Sequence, residues 1–262
     1  MGKIAQFVVG PAGSGKSTYC HQMAEHFRTT GRSLHIVNLD PAAEYLPYSP
    51  TFDIRQLISL EDCMEELDYG PNGGLVFCME YLLNNLDWLE EQLGDFDDDY
   101  LLIDCPGQVE LYTNVPMMRN LTQTFQNWRY TLVGVYCLEA ITVIDPARFI
   151  SGFLACLSTM YQFSLPHVNV LTKCDLVGNK ELLNDISPGN VNLFRRLDTQ
   201  VAGKFKTLNL RIAELLEEND VVAFTPLNYN EDESLSDLLL QVDLVTQYFD
   251  DMDVKDKDYD IE

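Results

Sequence analysis

Ile4-Ala5-Gln6-Phe7-Val8-Val9-Gly10-Pro11-Ala12-Gly13-Ser14-Gly15-Lys16-Ser17-Thr18 is the stretch that decides the fold. A short apolar run ends in the pattern GxxxxGK[ST], and residues Ser17 to Phe27 resume with helical period. The glycines let successive N–H groups turn inward around a phosphate, and the helix that follows adds partial positive charge at its start. Gly13, Ser14, Gly15, Lys16, Ser17 and Thr18 are therefore the expected phosphate-binding residues. Lys16 is expected to reach the outer phosphates and to assist their transfer, and the Ser17 hydroxyl to ligate Mg²⁺. Chance alone produces the bare pattern in about one chain of this length in a hundred. The strand-to-helix context lowers that further.

Outward from this loop, short apolar runs alternate with helical patterns. Expected strands are Ile4–Val9, Leu34–Leu39, Tyr100–Ile103, Leu132–Cys137, Val168–Leu171 and Val221–Thr225. Expected helices are Ser17–Phe27, Leu75–Leu93, Val115–Trp128, Pro146–Tyr161 and Leu235–Phe249. Such alternation predicts an α/β, doubly wound, mostly parallel sheet of the P-loop nucleotide-hydrolase type. One domain is expected over residues 1–249, with helical insertions at about 49–94 and 179–219. Residues 250–262, rich in acid, are expected to be a disordered tail.

The formal charge of −24, from 41 acidic and 17 basic residues, disfavours nucleic acid as a partner. The same balance is expected to keep the chain off membranes. Seven scattered cysteines without a CxxC pair predict neither a disulfide framework nor a zinc site, and favour a reducing compartment. The start, Met1 to Val9, is too short for a signal-peptide core, so a cytoplasmic location is expected, with entry to the nucleus left open.

Three further segments stand at strand ends, where ligands of such sheets converge. Asp104-Cys105-Pro106-Gly107-Gln108 follows the third expected strand. Asp104 is placed to hold Mg²⁺, Gly107 to meet a γ-phosphate, and Gln108 and Glu110 to orient the attacking water. Asp40, in Asn38-Leu39-Asp40-Pro41-Ala42, is a candidate second carboxylate or base, against the plainer reading of an Asp-Pro turn. Thr172-Lys173-Cys174-Asp175 has the form of a guanine-reading NKxD loop with Thr in place of Asn. The Asp175 carboxylate accepts the N1–H and 2-amino hydrogens of guanine. Adenine offers neither, and a mismatched buried polar group makes the discrimination large. The Lys173 stem can cover the base, and Thr225 opens a second candidate base-edge loop. Gly70-Pro71-Asn72-Gly73-Gly74 reads structurally as a turn between helices. Functionally, Asn72 could present an amide to a phosphate.

Taken together, GPAGSGKST, NLDPA, GPNGG, DCPGQVE and TKCD, in this order, resemble the GPN-loop GTPases over nearly the whole chain. GPAGSGKSTYC and GPNGGLVFCMEY are most like the third eukaryotic paralogue. The resemblance implies a SIMIBI-like GTPase, of the class that includes signal-recognition and MinD-like proteins, binding GTP or GDP with Mg²⁺. It implies a homodimer, or a heterodimer with a paralogue, in which Asn72 reaches into the partner's site. It implies water activation by Asp40, Gln108 and Glu110, and a role in assembly and nuclear import of RNA polymerase II. Many relatives of this class carry a second lysine early in the loop. Here that position is Pro11, so charge stabilisation must come from elsewhere, and a partner amide would supply one or two hydrogen bonds. Two other readings stand beside this one: an assembly factor that holds nucleotide as a structural cofactor, and a small-molecule kinase. The kinase is disfavoured because the middle insertion holds only Arg55, too little for an arginine-rich lid.

Overall fold

Strand β1 (Lys3–Val9) is buried along almost its whole length, because its odd and even side chains enter two different cores. Ala5, Phe7 and Val9 face one core with Ile103, Phe125 and Tyr136. Ile4 and Val8 face the other with Tyr19, Met23, Leu102 and Val170. A strand apolar on both faces belongs inside a parallel sheet covered by helices on both sides.

The structure, a computed structural model, describes residues 3–94, 100–113, 117–178, 183, 203–218 and 222–248. Its strands after β1 are β2 (Leu34–Asn38), β3 (Phe52–Asp53), β4 (Tyr100–Asp104), β5 (Tyr130–Glu139), β6 (His167–Thr172) and β7 (Phe224–Pro226). They form one sheet in the order β3-β2-β4-β1-β5-β6-β7, parallel at every pairing. The helices are α1 (Lys16–Thr30), α2 (Leu60–Glu66), α3 (Pro71–Asn84), α4 (Leu86–Leu93), α5 (Glu110–Thr113), α6 (Met117–Asn127), α7 (Pro146–Phe163), α8 (Lys206–Glu218) and α9 (Asp232–Val245). Helices α1 and α9 contribute to the second core, and α3, α4, α6 and α7 to the first.

Two sets of polar groups inside this frame are paired across elements. Gln6, fully buried in β1, donates to the Tyr100 hydroxyl at 2.8 Å and accepts from the Tyr19 hydroxyl at 2.6 Å. Arg32, just past α1, makes a two-pronged pair with Asp243 of α9 at 2.8 and 3.1 Å. Its guanidinium lies over the rings of Phe27 and Tyr248, 4.4 and 4.1 Å from their centres. All seven cysteines are buried and free.

The doubly wound parallel sheet matches the expected class, and four details differ from the sequence reading. The expected helix over Leu75–Leu93 is broken at Asn85, which leaves helical geometry and turns its side-chain amide back to the Tyr81 carbonyl at 2.7 Å. Gly70-Pro71-Asn72-Gly73-Gly74 is not a free turn. Gly70 caps α3, Pro71 is its first residue, and Gly74 is small because a Cβ there would lie 2.6 Å from Leu60 of α2. Strand β3, two residues long, carries too little pattern to be read. The last strand begins at Phe224, later than expected. The insertion expected at 179–219 lies outside the described residues except for residue 183 and 203–218, where α8 stands. The expected tail at 250–262 lies wholly outside them.

Candidate functional site

The glycine-rich loop leaves β1 at Gly10, whose φ is 141°. A Cβ there would come within 2.3 Å of the Cys137 carbonyl oxygen, so no other residue fits between this loop and β5. Gly13 and Gly15 also take positive φ, 75° and 89°. Gly15 caps α1 without any side-chain bond, and no acid stands in the first turn, so the helix start is free to serve an anion. Lys16 is buried, and its Nζ spans the loop to the Gly10 and Pro11 carbonyls at 3.1 and 3.2 Å. Ser14 is buried with its hydroxyl in no hydrogen bond. Ser17 is half-buried and Thr18 exposed.

Sheet register brings the carboxylates to this loop. Asp104, the last residue of β4, lies opposite Val8 on one side and Asn38 on the other. It is 1% exposed, and burial pushes its carboxyl above the ordinary range. The Ser17 hydroxyl and Lys16 act in the opposite sense. One oxygen, Oδ2, accepts from the Tyr48 hydroxyl at 2.7 Å, while Oδ1 is buried in no hydrogen bond. Asp40 is likewise pushed up by burial, opposed by the Ala42 N–H that it accepts at 3.0 Å. Its backbone is pinned by Asn38, which is tied through Asp53 to Arg55, and Arg55 donates on to the Ala43 carbonyl.

The Asp104–Gln108 segment leans on the glycine-rich loop. A Cβ on Gly107 would lie 2.9 Å from the Ala12 Cα, which puts this glycine against the phosphate cradle. Gln108 follows, half-buried, and Glu110 is exposed at the start of α5.

Across the loop, β6 ends at Thr172. Its hydroxyl donates to the Ser14 carbonyl at 2.5 Å and approaches the Leu138 carbonyl at 3.3 Å. The threonine that departs from NKxD thus acts as a strut between β6 and the glycine-rich loop. Lys173, with φ 58°, donates to the Gly13 carbonyl at 2.7 Å and pairs with Glu139 at the end of β5. Asp175 is exposed in the turn that follows. Thr225 is not brought to this edge. It lies within β7 opposite Val170, and its hydroxyl donates to Gln241 of α9 at 2.9 Å.

Asn72 also stands apart, exposed in the first turn of α3 and, among the described residues, in no hydrogen bond with the loop. Beside it, Tyr69, Phe77 and Tyr81 stack in series with centres 5.2 and 6.2 Å apart. Among the described residues no group of three or more His, Cys, Asp or Glu could hold a metal alone. Mg²⁺ is commonly held by one carboxylate, a hydroxyl and phosphate oxygens. The unbonded Oδ1 of Asp104 beside Ser17 fits such an ion. Sequence reading missed Tyr48 and Glu139. The first lies in an irregular segment that no spacing marks, and the second lies two residues beyond the expected strand Leu132–Cys137.

A protein-family model described as "Conserved hypothetical ATP binding protein" matches residues 8–248. Proteins named GPN-loop GTPase 3 are similar throughout. The one from Candida glabrata is 47% identical over 253 residues, covering 95% of this chain and 93% of that protein. The one from Saccharomyces cerevisiae is 47% identical over 255 residues, covering 95% and 94%. The one from Danio rerio is 44% identical over 264 residues, covering 98% and 92%. Among solved structures, a GTPase in apo form from Pyrococcus abyssi superimposes with a TM-score of 0.75 at 23% identity, covering 92% of this chain and 97% of that one. That likeness supports the fold.

Proposed function

The chain belongs to the GPN-loop GTPase family, and from that premise we propose a Mg²⁺-dependent GTP hydrolase in which a partner's Asn72 completes each site. The observation that carries this reading is the meeting, at one sheet edge, of the uncapped start of α1, Lys16, the buried Asp104 and the Thr172–Asp175 loop. The matched family's description speaks of ATP, whereas the similar proteins are named GTPases. Asp175 favours guanine, because a carboxylate accepts two hydrogens from that base and meets a bare acceptor on adenine.

In this mechanism the N–H groups of residues 13–18 receive the β-phosphate, and Lys16 moves from its backbone carbonyls to the outer phosphate oxygens. Ser17 and Asp104 would hold a Mg²⁺, and the bound ion would supply positive charge to offset that of the phosphates. Gly107 offers its N–H to the γ-phosphate. Asp40, Gln108 and Glu110 supply the acceptors that orient a water in line with it. Asn72 is exposed on α3 and, among the described residues, bonds nothing in its own chain's glycine-rich loop, which supports an amide that serves a second chain, either a copy of this one or a paralogue. From the motif resemblance we further propose a cytoplasmic protein that shuttles to the nucleus and assists assembly and import of RNA polymerase II subunits.

Single-turnover hydrolysis of GTP, by the chain alone and mixed with a paralogue, tests the reading. Asn72→Ala is expected to slow turnover by about 10²–10³-fold, the cost of one donor aimed at developing charge, with GTP affinity unchanged. Equal loss of rate and affinity contradicts the role.

A further inference from the structure

Asp104 Oδ1 and Oδ2 stand in different surroundings. Oδ1 is buried in no hydrogen bond, whereas Oδ2 accepts a 2.7 Å bond from the neutral phenol of Tyr48. Tyr48 comes from the irregular connection between β2 and β3, whose other end carries Asp40. That connection is fixed at both ends. The Leu39 N–H bonds the Asp104 carbonyl at 2.9 Å, and the Thr51 N–H bonds the Ile36 carbonyl at 2.7 Å. Pro47 and Pro50 flank the tyrosine, and its ring packs on the core that holds Tyr19 and Met23. The phenol is therefore an anchored donor.

We propose that Tyr48 is a positioning residue that fixes the rotation of the Asp104 carboxylate, so that Oδ1 alone faces the divalent cation. This rests on the reading of Asp104 as the Mg²⁺ carboxylate. The Ser17 hydroxyl also acts on the Asp104 carboxyl. To ligate Mg²⁺, that hydroxyl must turn its oxygen lone pair to the ion, so it cannot also hold the carboxylate. Tyr48 then carries the orientation. A carboxylate rotated about its Cβ–Cγ bond presents the wrong lone pair, and Mg²⁺ tolerates little departure from octahedral geometry. The connection that bears Tyr48 also bears Asp40, so cation binding and the water-side carboxylate share one backbone segment.

The test uses the full chain loaded with mant-GDP, a fluorescent nucleotide, and follows its release at graded Mg²⁺. Wild-type release is expected to slow as Mg²⁺ rises. Tyr48→Phe, which removes only the hydroxyl, is expected to move the midpoint to about tenfold higher Mg²⁺, the scale of one lost bond to a charged group. Affinity for mant-GDP in EDTA is expected to stay within twofold of wild type. An unmoved midpoint, a midpoint at lower Mg²⁺, or an equal loss of affinity in EDTA overturns the proposal. A wild-type chain that binds no mant-GDP, or releases it without regard to Mg²⁺, overturns the GTPase reading itself. Should Tyr48→Phe fail to fold, the wild-type GDP complex is read by near-ultraviolet difference absorbance during the Mg²⁺ titration. A tyrosine difference band that saturates with the cation supports the proposal, and its absence overturns it.

Discussion

Thr172→Val replaces a hydroxyl with a methyl of nearly the same volume, at a position 1% exposed to solvent. The hydroxyl now bonds the Ser14 carbonyl at 2.5 Å, and valine leaves that oxygen without this donor. An abandoned buried acceptor costs about 1–3 kcal/mol. For a chain of roughly this size, each kcal/mol lowers Tm by about 2–4 °C, so the melting point is expected to fall by about 2–12 °C. The Ser14 peptide forms part of the phosphate cradle, and a nucleotide must then order what the strut no longer holds. If about half of the lost energy is drawn from binding, GDP affinity falls by about 2–12-fold, since 1.4 kcal/mol is a factor of ten. Differential scanning fluorimetry and fluorescence titration with mant-GDP read the two effects. Thr172→Ser keeps the hydroxyl and is expected to bind within about twofold of wild type. A valine variant that melts and binds like wild type refutes the strut.

Gly107→Ala would set a Cβ 2.9 Å from the Ala12 Cα and 3.2 Å from its nitrogen, a clash with backbone that no rotamer relieves. We expect a loss of about 1–3 kcal/mol of stability and at least a tenfold slower single-turnover rate, and wild-type turnover contradicts the packing argument. Asp104 gives a prediction of opposite sign. Burial raises its carboxyl pKa in the folded chain, so the folded state holds the proton more tightly than the unfolded one. The protonated form therefore adds stability below the ordinary carboxylate pKa, and that stability is lost as pH rises through the raised value. Asp104→Asn is expected to melt higher than wild type at pH 7 without nucleotide, and to lose the Mg²⁺ dependence of mant-GDP release. A lower melting point shows that the ionised carboxylate stabilises the fold.

Much of the fold was legible because its strands are apolar on both faces and separated by helical periods. Ile4–Val9 and Tyr100–Ile103 could hardly be anything else in a chain that also carries GPAGSGKST. Features set by single contacts were not legible. Nothing in the sequence says that Asn85 divides a helix, because its amide competes with the helix only when Tyr81 presents its carbonyl. The glycines of GPNGG suggested a turn from composition, yet Gly74 is there to let α2 approach α3. At the candidate site, the meeting of Lys16, Ser17 and Asp104 was legible because the chemistry of phosphate and Mg²⁺ prescribes residue types at a helix start and a strand end. Tyr48 could not, since its role arises from a loop that returns over the sheet to meet Asp104. Thr172 looked like a flaw in a base-reading motif until its hydroxyl was seen to hold the phosphate loop.

Base choice is the most direct test of the whole account. Titration calorimetry of the pure chain with Mg²⁺, using GTP, GDP and ATP in turn, reads it without any assumption about partners or rate. Guanine nucleotides are expected to bind at least a hundredfold more tightly than ATP, and Asp175→Asn to abolish that preference. No heat with GTP or GDP, or a preference for ATP, contradicts it.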